Sequence, residues 1–216
     1  MPRLIQLFGQ IPVGMREYVA NLVANPTANA VAYTVGAYTV IFGDWFHLGT
    51  MAHEFTHILD LLALEEYVSD PGSQPFSDTS YWQTPQDMDS ALPTAYAASS
   101  WQEDFAEAGR VALSDIVVPG GLAGINPNSS QIQWQVDTYK DYLEDTIFPA
   151  GETCTGKAAS SPPVPVSSSA KVSLKVLGPK PYVGLSGEVP EIVVPEGAKK
   201  FKFVYPLPEE RRRSVS

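Results

Sequence analysis

The sequence predicts an α+β domain, mainly helical, with a small sheet ahead of a helix that carries a His-Glu-x-x-His pattern. Three observations predict it. Val, Tyr and Thr crowd the run 29–44, "NAVAYTVGAYTVIFGD", the composition that suits strands. Apolar residues recur at helical spacing in several separate stretches of the remaining chain. No apolar run reaches the roughly 18 residues of a membrane span, and the most apolar part before the motif is broken by Asn29, Gly36, Gly43 and Asp44.

In chain order, "PVGMREYVANLVA" (12–24) spaces Val13, Met15, Tyr18, Val19, Leu22 and Val23 as a helix does, and "NPT" at 25–27 stops it. The Val/Tyr/Thr run follows as one or two strands bent near Gly36. Thr50 is the expected N-cap of a helix from about Met51 to Tyr67, ended by "SDPGSQP". Residues 69–93 carry four prolines and many Ser, Asp and Gln, the composition of a long loop, which in a compact domain is functional or disordered. "SSWQEDFAEAGRVALSD" reads as a helix capped by Ser99 or Ser100, with acidic residues in the first turn, where the helix dipole favours them. In "SSQIQWQVDTYKDYLEDTIF" an apolar stripe runs through Ile132, Val136, Tyr139, Leu143 and Ile147.

From Pro149 the character changes. Residues 1–150 form the expected main domain, 151–170 a Pro/Ser/Ala linker, and 171–216 a basic tail that is either a small β unit or disordered. Charge divides the chain the same way: four Lys/Arg against eighteen Asp/Glu over 1–150, and ten against six over 151–216. So acidic a domain repels phosphates, which excludes nucleic acid as a partner. A monomer with no membrane partner is expected. Cys154, the sole cysteine, has no internal disulfide partner. Asn128-Ser129-Ser130 is a glycosylation sequon. "MPRLIQLFGQIPVGM" lacks the apolar centre and cleavage site of a signal peptide, so either the protein is not secreted or the natural start lies upstream.

The chemistry concentrates in "GTMAHEFTHILDLL" (49–62). His53 and His57, four apart, project from one helical face about 5–6 Å apart at Cβ. Their imidazole nitrogens can then share one Zn²⁺ at roughly 2.0–2.1 Å. Glu54, displaced by one residue, stands near the metal but outside its coordination, placed to move a proton between water and a leaving amine. A third protein ligand is still required. The arrangement with a ligand six residues after the second histidine is excluded, because Asp60 and Ala63 occupy its glycine and ligand positions. A second helix supplies the alternative: in "EDFAEAGR", Glu103 and Glu107 share a face, one to bind metal and the other to accept the spare N–H of a histidine. Glu103 is the expected ligand and Asp104 its rival.

"HEFTHILD", the 46-residue step from His57 to Glu103, and "EDFAEA" resemble the catalytic domain of anthrax lethal factor and the related Pro-Pro endopeptidases, over about Val31 to Phe148. The chain is also similar to secreted fungal proteins described as metallopeptidases or conidiation-specific proteins. The resemblance implies a zincin-like fold and a zinc endopeptidase of the gluzincin type acting on a peptide or protein substrate. It assigns His53, His57 and Glu103 to the metal and makes Glu54 the general base. Tyr96, seven residues before Glu103, becomes the donor to the oxyanion, and Glu107 the partner of His53. It further implies a secreted protein whose natural start, and with it a partner for Cys154, is missing. The strand before the motif would be the edge that pairs with substrate. Tyr33 and Tyr38 are expected to pack in that strand, and His47 to be structural. Asp60 either buttresses a ligand or solvates the helix. The loop between the two helices departs from lethal factor and leaves specificity open. The alternative is a zinc-binding but inactive secreted or spore-associated interaction protein.

Overall fold

The computed structural model describes residues 2–25, 31–43, 45–149 and 156. The linker and basic tail expected beyond 150, with Cys154, lie outside the described residues apart from Gly156. The described part is mixed α and β, mainly helical, as the sequence predicts. No helix among the described residues is long and apolar enough to cross a membrane.

The N-terminal residues form a helix that composition did not announce, α1 (Pro2–Phe8), whose Leu4 and Leu7 are buried and whose Phe8 meets Phe55 edge-on at 5.8 Å. The helix expected over 12–24 needs correction. Only α2 (Val13–Glu17) is helical; Asn21–Asn25 is a strand, β1. Its run of short apolar residues satisfies both periods, and the ladder to a neighbouring strand settles the conformation.

Residues 29–44 resolve into two strands. β2 (Ala32–Val35) and β3 (Tyr38–Phe42) pair antiparallel through a two-residue connection in which Gly36 adopts φ +56°, a conformation that favours glycine. β1 pairs parallel with β3, so the sheet order is β1-β3-β2 and β2 is an edge. Alternation along the strands turns Thr39 and Ile41 into the core, while Tyr33 and Tyr38 point outward about half-exposed and Val35 is more exposed still.

Behind the sheet lies the motif helix, α3 (Leu48–Leu62). It begins earlier and ends sooner than expected: His47, extended and making no side-chain cap, precedes it, and Glu65–Tyr67 is a separate 3-10 turn. Thr50 therefore sits inside the helix. The expected loop over 69–93 also needs correction, since it holds α4 (Ser80–Met88) and buries Phe76 and Trp82 completely. A polar segment with Pro85 inside its helix hides this packing, because two aromatic side chains carry it.

Next come α5 (Trp101–Val117), the short α6 (Gly121–Ile125) and α7 (Gln133–Leu143). Ser100 is the N-cap of α5, its Oγ accepting from the Glu103 N–H at 3.2 Å. The stripe Ile132, Val136, Tyr139, Leu143 and Ile147 is buried throughout, as its spacing predicts. α3 and α5 make the main helix contact, and Gly109 permits it: a Cβ there would stand 2.5 Å from Thr56 Oγ1 and 2.8 Å from Tyr139 Cζ. This close approach brings the two motif helices together.

Candidate metal centre

The α3–α5 contact sets the histidine pair opposite the glutamate pair. His53 Nε2 lies 3.1 Å from Glu103 Oε2, His57 Nε2 lies 3.4 Å from the same oxygen, and the two nitrogens are 3.2 Å apart. The three atoms thus form a nearly equilateral triangle. A tetrahedral zinc with bonds of 2.0–2.1 Å requires donors roughly 3.3–3.4 Å apart, so the spacing suits the ion. Glu103 Oε2 is buried yet has no hydrogen-bond partner in acceptable geometry, a costly state for a carboxylate oxygen unless a cation meets it. Two imidazoles and a carboxylate with an orphaned oxygen fit zinc.

Local sequence explains the pose of Glu103. "SWQE" has the spacing of a capping box, in which the glutamate would reach back to the Ser100 N–H. Here the Glu103 carboxylate faces the histidines instead. Its position in the first turn of α5 lets the helix dipole favour its charge. Burial raises its pKa, but His53 and His57 outweigh burial and hold it well below the usual carboxylate range. The rival, Asp104, points away: buried, it accepts the Trp82 indole N–H at 3.0 Å, and burial pushes its pKa well up.

His53 is gripped from both sides. Its Nδ1 lies 2.7 Å from Glu107 Oε1. A carboxylate only accepts, so Nδ1 carries the hydrogen and Nε2 is the atom that could meet a metal ion. Burial disfavours charge on His53, but the carboxylates of Glu103 and Glu107 more than offset it and raise the pKa to about 9. The two carboxylates thus favour positive charge at this imidazole. Glu107 is itself clamped by Arg110, whose Nη1 reaches Oε1 at 2.8 Å and Oε2 at 2.9 Å. Although burial raises its pKa, the bond from His53 and the Arg110 charge bring Glu107 down to about 2.

Glu54 and Tyr96 line the same cleft, of about 340 Å³, with His53, His57 and Glu103. Burial raises the pKa of Glu54, the direction that suits a proton acceptor near neutral pH, while the Thr34 hydroxyl opposes it. Tyr96 opens the 3-10 turn Tyr96–Ser99 that leads into α5. Its ring centroid lies 5.9 Å from that of His53, and desolvation, followed by the Glu103 charge, raises its pKa. A hydroxyl that keeps its proton remains a hydrogen-bond donor.

Every predicted site residue therefore faces one cleft or touches a residue that does. Sequence reasoning missed two that touch them. Thr34 donates to Glu54 Oε2 at 2.7 Å across twenty positions, which no local spacing signals. Arg110 stands three residues after Glu107, a spacing that places the two on one helical face and could have been read. His47 is exposed and meets Trp45 edge-on at 5.8 Å, and it is not part of the His53, His57 and Glu103 group. Asp60 fits neither expectation: buried, it accepts from the Ser77 N–H at 2.8 Å and the Ser77 hydroxyl at 2.6 Å, pinning the following loop to α3. Burial, its largest influence, raises its pKa to about 7.

Compared with protein-family models, with curated proteins and with solved structures, the chain matches none.

Proposed function

We propose that the chain is a zinc-dependent endopeptidase with a zincin-like fold. The observation that carries this reading is the triangle of His53 Nε2, His57 Nε2 and Glu103 Oε2 with Glu54 beside it. Zinc at such a centre supplies a Lewis acid for the peptide carbonyl and activates water for attack. The protein residues do the rest. His53, His57 and Glu103 hold the ion, and Glu107, itself clamped by Arg110, fixes the tautomer of His53. Glu54 takes the proton from the attacking water and passes it to the departing amine. Tyr96 donates its phenol hydrogen to the carbonyl oxygen as negative charge develops there. β2, an edge strand whose Ala32, Tyr33 and Thr34 line the cleft, offers backbone groups for an extended peptide in fixed register.

The zinc-loaded chain incubated with a peptide library tests this reading. Internal cleavage that a chelator abolishes and restored zinc recovers is the expected result. Tyr96→Phe should keep its zinc and lose turnover on the order of 10²-fold. Stoichiometric zinc with no cleavage of any peptide would instead favour a binding protein.

A further inference from the structure

Thr34 lies on the edge strand β2 with its side chain turned toward α3, opposite to Tyr33 and Val35. Its Oγ1 is 2.7 Å from Glu54 Oε2, 3.0 Å from the Glu54 backbone oxygen and 2.9 Å from Thr39 Oγ1. Thr34 and Thr39 are direct cross-strand partners, and Thr39 is fully buried. The hydrogens can be assigned. Both Glu54 oxygens accept, so the single Thr34 hydrogen goes to them. Thr39 must then supply the hydrogen between the two hydroxyls. A relay results, running from the buried centre of the sheet through the edge strand to the Glu54 carboxylate.

We propose that Thr34 is a positioning residue that fixes the Glu54 carboxylate and ties its orientation to the strand along which a peptide substrate would lie. This rests on the endopeptidase reading and deepens it. A glutamate carboxylate, carried on three rotatable bonds, has rotamer freedom that a proton acceptor must lose, because misplacement by about 1 Å costs on the order of 10²-fold in rate. The bond to Thr34 removes that freedom at one oxygen, and the Thr34–Thr39 pair makes the anchor part of the sheet. The hydroxyl reaches the base without reaching the metal-ligating atoms, so its loss should alter proton transfer and leave metal binding intact.

Two measurements test the role. In the first, zinc-loaded Thr34→Val and Thr34→Ser are compared with wild type. Valine keeps the shape and removes the hydrogen bond. Expected are unchanged zinc content, KM within about twofold and kcat lower by roughly 10- to 100-fold, with serine restoring kcat to within about threefold. The second needs no turnover: in zinc-free protein, Thr34→Val should lower the urea midpoint in the wild-type background and by clearly less in Glu54→Ala. Equal midpoint shifts in both backgrounds, a valine variant with wild-type kcat, a serine variant that fails to restore it, or a loss that follows zinc content would each overturn the proposal. If zinc-loaded wild type cleaves nothing, the endopeptidase reading falls and the role of Thr34 falls with it. If wild type cleaves and Thr34→Val matches it, only Thr34 is misassigned.

Discussion

Glu107 Oε1 lies 2.7 Å from His53 Nδ1 and 2.8 Å from Arg110 Nη1, so one buried carboxylate joins the imidazole of a proposed metal ligand to a guanidinium. The chain Arg110–Glu107–His53 holds the imidazole plane before any ion arrives, with Nδ1 committed to Glu107 and Nε2 facing Glu103. Partners of this kind are worth roughly 10- to 100-fold in metal affinity.

Glu107→Gln should therefore weaken zinc binding by that factor, and Arg110→Met by the lower end of it, as measured by competition with a chromogenic chelator. Arg110→Lys keeps the charge but changes the reach and geometry of the single Nη1 that meets both Glu107 oxygens, and should fall between Met and wild type. Unchanged affinity in Glu107→Gln would remove the carboxylate from the site.

Gly109 controls how closely α5 approaches α3. Alanine there gains roughly 1 kcal/mol in helix propensity. Its Cβ would meet Thr56 Oγ1 at 2.5 Å and Tyr139 Cζ at 2.8 Å, both in the buried interior. Overpacking costs about 1–3 kcal/mol, and contacts this short put Gly109→Ala toward the upper end, so the net effect is destabilising by up to about 2 kcal/mol and the Glu103 and Glu107 carboxylates move away from the histidines. Urea unfolding should show a lower midpoint and zinc titration a weaker site.

Asp60 makes stability depend on pH in a defined direction. Its folded pKa is raised from 3.8 to about 7, first by burial, so between those values the folded state holds a proton that the unfolded state has released. Its contribution to stability is then fully present below about pH 4, declines as pH rises to about 7 and is flat above. The slope is at most roughly 1.4 kcal/mol per pH unit for one proton. In Asp60→Asn the amide oxygen can still accept from the Ser77 N–H. Zinc-free Asp60→Asn should therefore gain on wild type between pH 4.5 and pH 7.5. A difference constant across that range would contradict the burial of Asp60.

Much of the site was legible because both halves depend on the same four-residue spacing. His53/His57 and Glu103/Glu107 each share a helical face, and a single helix contact brings the faces together. Ser100 and the stripe from Ile132 to Ile147 were legible for a similar local reason, one a cap before an acidic turn and the other a repeated apolar spacing. What remained hidden depended on partners distant in sequence. Asn21–Asn25 is a strand because β3 lies beside it, and α4 is packed through Trp82, whose indole bonds Asp104 twenty-two residues away. Asp60 meets Ser77 and Asp89 meets the start of α7, accepting from the Trp134 and Gln135 N–H groups at 2.9 and 2.8 Å. Short acidic side chains in polar segments read as solvated until such partners are known. Thr34 belongs with them, since a threonine in a strand signals only a strand.

The most direct measurement compares zinc-loaded wild type with Glu54→Gln at equal zinc content on a peptide that the wild type cleaves. The amide that replaces the Glu54 carboxylate cannot take the proton from water, so kcat should fall on the order of 10²- to 10⁴-fold while zinc stays bound at one ion per chain. Cleavage by Glu54→Gln at the wild-type rate would contradict the assignment of Glu54, and with it the endopeptidase mechanism.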